Sequence, residues 1–381
     1  MSLAAPRAGR PGTAPERSLA AELPDFPWDT LAAAKALAES HPDGIVDLSM
    51  GTPIDPSPEI AQRALSRAAN SPGYPLTSGT VRVREAIVSY LRRRWGADLL
   101  EENATLPVIG TKELVAWLPS LLRLGPDDLL VYPTTAYPTY LVGARIAGCR
   151  SIACDDLDEL GDEQPAIVWL NSPSNPTGEI LPADVLAKRV AWARERGAVV
   201  VSDECYGEFG WEAEPVSVLH PTVNEGSYSG LLAVNSLSKR SNLAGYRAGF
   251  VAGDSQLVAE LLAVRKHAGM IVPGPVQEVM IEVLGDHDHV EVQRQRYAAR
   301  RSLLRPVLER AGFAIEHSEG SIYLWATRGE ECRQTVDFLA RQGILVAPGD
   351  FYGPTATRHV RVALTATNEG IEAAAHRLSE L

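Results

Sequence analysis

The chain has 381 residues, 45% of them hydrophobic and 22% charged, and its 36 Lys and Arg against 48 Asp and Glu leave a formal charge of −12. Near-average composition excludes collagen-like, disordered and disulfide-scaffold classes, and an acidic balance without a basic run excludes a nucleic-acid or anionic-membrane surface. The longest apolar stretch, Leu114 to Leu122, is too short for a bilayer-crossing helix and carries Pro119.

Residues 1–26 open Ala/Pro/Arg-rich and lack an apolar core, so they read as a disordered tail and not as a secretory signal. Residues 27–45 read as an arm that joins the C-terminal lobe. From about residue 46, short apolar runs alternate with longer amphipathic segments. Strands are predicted at 105–109 (TLPVI), 129–133 (LLVYP), 150–154 (RSIAC), 167–170 (IVWL), 198–201 (AVVV), 231–234 (LLAV) and 249–253 (GFVAG). Helices are predicted directly after Gly110, over YPTYLVGARIAG, and over 182–196, where Pro182 suits the first turn and Gly197 the stop. Short, wholly apolar strands alternating with helices predict an α/β fold, a mainly parallel sheet flanked by helices on both faces. Past Pro273 the pattern changes to a long arginine-rich helix (VEVQRQRYAARRSLLRPVLERAG), strands in SIYLWAT, ILVAP and HVRVALT, and a helix in CRQTVDFLARQG. This predicts a large domain at 46–284 and a smaller C-terminal α/β domain at 285–381.

The polar clusters follow the predicted strands. Gly110-Thr111 follows 105–109, NSPSNPTG (171–178) follows 167–170, SDECY (202–206) follows 198–201, and NSLSKR (235–240) follows 231–234. Ligands bind beyond the carboxyl ends of strands in an open parallel sheet, so four such clusters outline one site. The strand-to-helix turn Gly110-Thr111-Lys112 offers free amides and a helix dipole to an anion. Ser236 and Ser238 add hydroxyls, and Arg247 adds a cation suited to bidentate phosphate contact. Lysine occurs only five times in the chain, and Lys239 falls within this group, where it could form a Schiff base. Asp203 supplies a carboxylate three residues before the Tyr206 phenol. A phosphate cradle, a Schiff-base lysine and an acid for a pyridinium nitrogen are what pyridoxal 5′-phosphate (PLP) requires.

Other chemistries are poorly supported. Cys149, Cys154, Cys205 and Cys332 form no CxxC pair or metal-finger spacing, so reduced thiols in the cytoplasm are expected. His287-Asp288-His289 reads as a solvated loop and helix start, and no metal site is expected. The sequence has no GxSxG elbow and no GxxxxGK[ST] loop.

SLSKRSNLAGYRAGFVAGD (236–254), Asn-Pro-Thr-Gly at 175–178 and Asp-Glu-x-Tyr at 203–206, in this order, resemble the fold-type I PLP-dependent aminotransferases of class I/II. The resemblance covers nearly the whole chain from about Pro27 and implies that 46–284 is the PLP-binding domain. It implies that Lys239 carries the cofactor and acts as acid and base, that Asp203 pairs with the pyridine nitrogen, and that Asn175 and Tyr206 hydrogen-bond the ring's phenolic oxygen. Tyr137 would stack on the ring. The phosphate would be held by the turn at Gly110, the backbone amides of Thr111 and Lys112, Ser236, Ser238 and Arg247. Tyr74 would reach the phosphate of a neighbouring subunit, which implies a homodimer with shared sites. Arg361, with Gly51 and Asn175, would hold the substrate α-carboxylate. Within the family, the run from Lys239 to Asp254 and FPWDTLAAAKALA are most similar to N-succinyldiaminopimelate aminotransferases, which use glutamate as the amino partner in lysine biosynthesis. An aminotransferase of other specificity and a PLP-dependent C–S β-lyase stay open on these motifs. A non-catalytic PLP-binding regulator is disfavoured by the retained lysine and the acidic charge.

Overall fold

The structure, a computed structural model, describes residues 18–381; the rest of the expected tail lies outside the described residues. The described residues form thirteen strands, β1 Val46–Asp47, β2 Thr105–Val108, β3 Leu129–Tyr132, β4 Arg150–Ala153, β5 Ile167–Asn171, β6 Val199–Asp203, β7 Leu231–Ser236, β8 Gly249–Gly253, β9 Ala314–Glu316, β10 Tyr323–Thr327, β11 Ile344–Leu345, β12 Ala347–Pro348 and β13 Val360–Ala363. Seven of them build one sheet in the order β2-β8-β7-β6-β5-β3-β4, parallel throughout except for β8, which runs against both its neighbours. Alternate residues of a strand supply opposite faces. Val168 and Leu170 of β5 enter one core with Val200 and Phe250, whereas Ile167 and Trp169 enter the other with Leu106, Val201 and Val251. Helices cover both faces, which is why the strands contain no polar alternation for a sequence reader to use.

Register fixes where the polar clusters land. Asn171 at the end of β5 pairs with Asp203 at the end of β6, and Ser236 at the end of β7 lies opposite Gly249. Val108 of β2 also faces Gly249, so the turn at Gly110 opens on the same edge.

The C-terminal domain is a four-stranded antiparallel sheet, β12-β13-β10-β9, with a separate parallel pair, β1-β11. Its core takes in Leu31, Ala34, Ala38, Val46 and Leu48 of the N-terminal arm together with Leu304, Leu324, Val336 and Val362. The chain therefore stays with the C-terminal domain through β1, two or three residues beyond the expected boundary at 45, because Val46 and Asp47 pair with Ile344 and Leu345. The stretch expected to be tail as far as 26 also differs. Leu19–Glu22 form a helical turn, and Phe26 packs on Trp28 and Trp28 on Phe351 with tilted rings, their centroids 5.6 and 5.3 Å apart. Aromatic packing against the short 3-10 helix Gly349–Tyr352 orders this segment in spite of its composition.

A 23-residue helix, Asp288–Arg310, connects the two regions. From it, buried Arg300 grips Asp55 through two hydrogen bonds (2.6 and 2.8 Å) and donates from Nε to Asn368 Oδ1 at 2.9 Å. Partial burial pushes the Asp55 carboxyl up, but the hydrogen bonds and charge of Arg300 outweigh this and its pKa is lowered. A carboxyl with a lowered folded-state pKa adds stability above its unfolded value of about 3.9 and loses it as pH falls through the folded value. Arg300→Ala is expected to cost about 2 kcal/mol in urea unfolding at pH 7, a figure reduced from that of a fully buried pair because Asp55 is partly solvated. The difference between wild type and variant should shrink as pH is lowered from 5 to about 3.

Candidate active site

One cavity of about 290 Å³ opens at the sheet edge where the polar clusters converge. Of the expected residues, Gly51, Thr111, Lys112, Tyr137, Asn175, Asp203, Tyr206, Ser236, Ser238, Lys239, Arg247 and Arg361 all line it. Gly110 lies immediately behind: a Cβ on it would collide with Arg247 Nη2. Tyr74 is not brought to the cavity; its side chain is fully exposed.

The floor is a cradle for an anion. Thr111–Leu121 is an 11-residue helix whose N-cap, Gly110, has φ +77° and provides no side-chain cap, so the first amides have no acceptor from the cap. Ser236 Oγ accepts from Ser238 N at 3.1 Å, which turns the chain after β7 toward those amides. Arg247, itself left-handed at φ 55°, is steered by a bond from Nη1 to Ala244 O at 2.8 Å. Amides, hydroxyls and a guanidinium around a glycine turn constitute a phosphate site.

Asp203 is a buried carboxylate whose side-chain bonds come from neutral donors, Tyr140 Oη at 2.9 Å and Cys205 N at 3.2 Å. Burial raises its pKa against the pull of those bonds. Tyr140 is held for this by stacking on Trp169, with centroids 4.7 Å apart, and Tyr137 meets it edge-on at 5.8 Å. Burial likewise pushes the Tyr137 phenol up to about 12. The main chain of Asp203 is fixed by Asn171, whose Nδ2 donates to Asp203 O at 2.9 Å and whose Oδ1 accepts from Asn175 N at 2.8 Å.

Lys239 donates from Nζ to Gly51 O. Burial lowers its pKa to about 8, and the Arg361 and Arg247 cations add to the effect. Arg361, on β13, is buried and fixed between the domains: Nη1 donates to Asn175 Oδ1 at 2.8 Å and Nη2 to Ser49 O at 2.7 Å. Its guanidinium carbon lies 4.0 Å from the Tyr323 ring centroid and 5.1 Å from that of Tyr352. Lys112 reaches over the cavity rim with its ammonium 5.5 Å from the Phe26 ring centroid; partial desolvation and the nearby Arg247 lower its pKa.

Residues 43–378 match the family model for aminotransferase class I and II. The chain belongs to this family. A probable aminotransferase of Mycobacterium tuberculosis is 62% identical over 374 residues, spanning 98% of this chain and 90% of its own. The 4-dedimethylamino-4-oxo-anhydrotetracycline transaminase of Streptomyces rimosus is 56% identical, with 94% of this chain and 99% of the relative covered. Among solved structures, a probable N-succinyldiaminopimelate aminotransferase from Thermus thermophilus superimposes with a TM-score of 0.85 at 28% identity, over 93% of this chain and all of that one.

The family is PLP-dependent, and this aminotransferase has the groups to hold that cofactor. A buried carboxylate lacking a cation suits a protonated pyridine nitrogen, an uncapped helix start suits a phosphate, and a largely buried amine of lowered pKa suits a carbonyl. Several contributors were not singled out in the sequence. Tyr323 and Ser49 come from segments without a motif, and Tyr140 and Asn171 look like ordinary core and strand-end residues. Phe26 and Trp28 line the cavity from the segment read as tail and arm. Among the described residues no group of three or more His, Cys, Asp or Glu is arranged to hold a metal, and His289 bonds Asp286 and Ser241.

Gly110→Ala puts a methyl group into the Arg247 guanidinium at a φ that disfavours alanine. Its PLP retention, measured by dialysis and absorbance, is expected to fall at least about tenfold, equivalent to roughly 1.4 kcal/mol.

Proposed function

We propose that this aminotransferase exchanges an amino group between glutamate and the keto form of N-succinyl-LL-2,6-diaminopimelate, with 2-oxoglutarate as the other product. The observation that carries the reading is that two cations beyond those given to the cofactor line one cavity, buried Arg361 at the domain junction and Lys112 beside Phe26. Glutamate and the succinylated substrate both present an α-carboxylate and a distal carboxylate, so the same pair of cations serves both half-reactions. The Thermus neighbour with the corresponding name, and an LL-diaminopimelate aminotransferase of Aquifex aeolicus that is 30% identical over 88% of this chain, support that substrate class.

When bound, PLP supplies an electron-withdrawing ring conjugated to the substrate nitrogen. The protein's part is to bind, orient and move a proton. Arg361 fixes the α-carboxylate bidentately, which sets the Cα–H bond in one orientation. Lys239 holds the cofactor at rest. Released, its amine, whose pKa burial lowers to about 8, would take the Cα proton and give it back in the other half-reaction. Asp203 would keep the pyridine nitrogen protonated, Tyr137 would cover the ring, and Asn175 and Tyr206 would hydrogen-bond its phenolic oxygen. Gly51 leaves room for the Tyr323 hydroxyl, with which an added Cβ would collide. We further propose that two copies assemble with shared sites, the exposed Tyr74 reaching the partner's phosphate, and that the protein works in the cytoplasm. Among the described residues no helix is long and apolar enough to cross a membrane.

A second reading has its own support. Phe26 and Trp28 give the cavity an aromatic wall that suits a polycyclic ketone, the kind of acceptor named for the Streptomyces relative. Stopped-flow absorbance with glutamate, followed by a panel of keto acceptors and by N-succinyl-diaminopimelate as donor, separates the two. Turnover of a polycyclic ketone but not of the succinylated substrate overturns the first reading, and pyruvate release from a β-substituted amino acid would mark a lyase. Lys239→Ala is expected to remove turnover by at least about 10⁴-fold while the protein stays folded. Lys112→Ala is expected to raise KM for substrates with a distal carboxylate about tenfold, with little change for α-amino acids lacking one.

A further inference from the structure

Two tyrosine hydroxyls meet inside the site, and only one of them has a motif behind it. Tyr206 follows β6 of the large domain, whereas Tyr323 stands on β10 of the small domain; their oxygens are 2.8 Å apart and both side chains are buried. The rings meet edge-on, with centroids 5.5 Å apart at 66°. Gly51 allows the Tyr323 hydroxyl its place, and the carbonyl of the same glycine receives Lys239 Nζ. On the ring face of Tyr323 lies the Arg361 guanidinium, 4.0 Å from the centroid.

A phenol has one proton to donate and lone pairs to accept. With Tyr206 giving its proton to the cofactor's phenolic oxygen, the short contact to Tyr323 holds only when Tyr323 is the donor. A guanidinium over the Tyr323 ring favours that direction, since it draws electron density from the phenol. We propose that Tyr323 is a positioning residue, donating its hydroxyl hydrogen to Tyr206 and so strengthening the hydrogen bond that Tyr206 makes to the cofactor's phenolic oxygen. The inference rests on the role given to Tyr206 in the proposed function. Hydrogen bonds in series reinforce one another, so the hydroxyl of a small-domain strand tunes a group held on the large domain.

The sign follows from charge. A stronger donor at the phenolic oxygen reduces that oxygen's negative charge and disfavours the proton on the neighbouring nitrogen, which Lys239 contributes. Losing the Tyr323 hydroxyl therefore raises the pH at which that proton leaves. The groups that face the pair are Arg361 from β13, Tyr352 and Tyr297 from the small domain, Tyr137 and Cys205 from the large domain, and Lys239 through Gly51. None of these is removed by a Tyr-to-Phe change, which keeps the ring beneath Arg361.

The test is the pH dependence of the visible absorption of the PLP-loaded protein in wild type, Tyr206→Phe, Tyr323→Phe and the double variant, without substrate. Tyr206→Phe is expected to raise the midpoint, Tyr323→Phe to raise it by about half a unit, and the double variant to match Tyr206→Phe alone. A Tyr323→Phe midpoint equal to that of wild type, or a further rise on adding it to Tyr206→Phe, overturns the proposal. A Tyr206→Phe midpoint equal to wild type removes the role of Tyr206 and the proposal with it. Succinate, an unreactive dicarboxylate, is titrated in parallel. A tenfold loss of its affinity in Tyr323→Phe, about 1.4 kcal/mol, would assign Tyr323 to seating Arg361 and would also overturn the hydrogen-bond role.

Discussion

Two buried charges of opposite sign are kept apart in this active site. Arg361 is held by an amide oxygen, a backbone carbonyl and two aromatic rings, and among the described residues it belongs to no ion pair. Asp203 is held by a phenol and a backbone amide, likewise without a cation. Burying either charge unpaired is unfavourable, and the surrounding hydrogen bonds offset only part of that cost. In the proposed function, a carboxylate at Arg361 and a protonated ring nitrogen at Asp203 would relieve the remainder. The rest of the fold supports these two positions: the β5–β6 register fixes Asp203 beside Asn171, and the antiparallel β10–β13 pair sets Arg361 opposite Trp325.

The same arrangement joins the domains. Asn175, from the loop after β5, accepts from Arg361 on β13, and Ser49, just after β1, accepts from its other nitrogen. Tyr206 and Tyr323 add a second link across the same junction. Arg300, with Asp55 and Asn368, makes a third polar link along the helix that connects the domains. Arg361 is thus tied at once to Asn175 of the large domain and to Ser49 next to the arm.

Much of the architecture was legible because a buried parallel sheet writes itself as short apolar runs. All seven strands of the large sheet coincide with predicted runs, and the polar clusters do follow their carboxyl ends. The two-residue β1 and the three-residue β9 escaped notice because so short a strand has no periodicity. Of the stretch expected to be tail, residues 18–26 pack through Phe26 and Trp28 toward Phe351, a contact across more than 300 residues of sequence that no local pattern records. Tyr140 is a core residue, and its hydroxyl reaches Asp203 at the end of β6 from a helix, Thr139–Ala147, that has no motif.

The amino-acid sequence alone determined the α/β class, the order of strands along the chain and the family, since apolar periodicity and short motifs are local properties. It also determined which residues supply each chemical type, because a single lysine, Lys239, stands in the stretch of the strongest motif. Only the tertiary structure decided which of these groups meet and how each is tuned. Lys239 owes its lowered pKa to burial and to Arg361, 122 residues away, and Tyr206 finds Tyr323 across the domain junction. Desolvation and electrostatic coupling depend on distance in space, and no spacing along the chain records them.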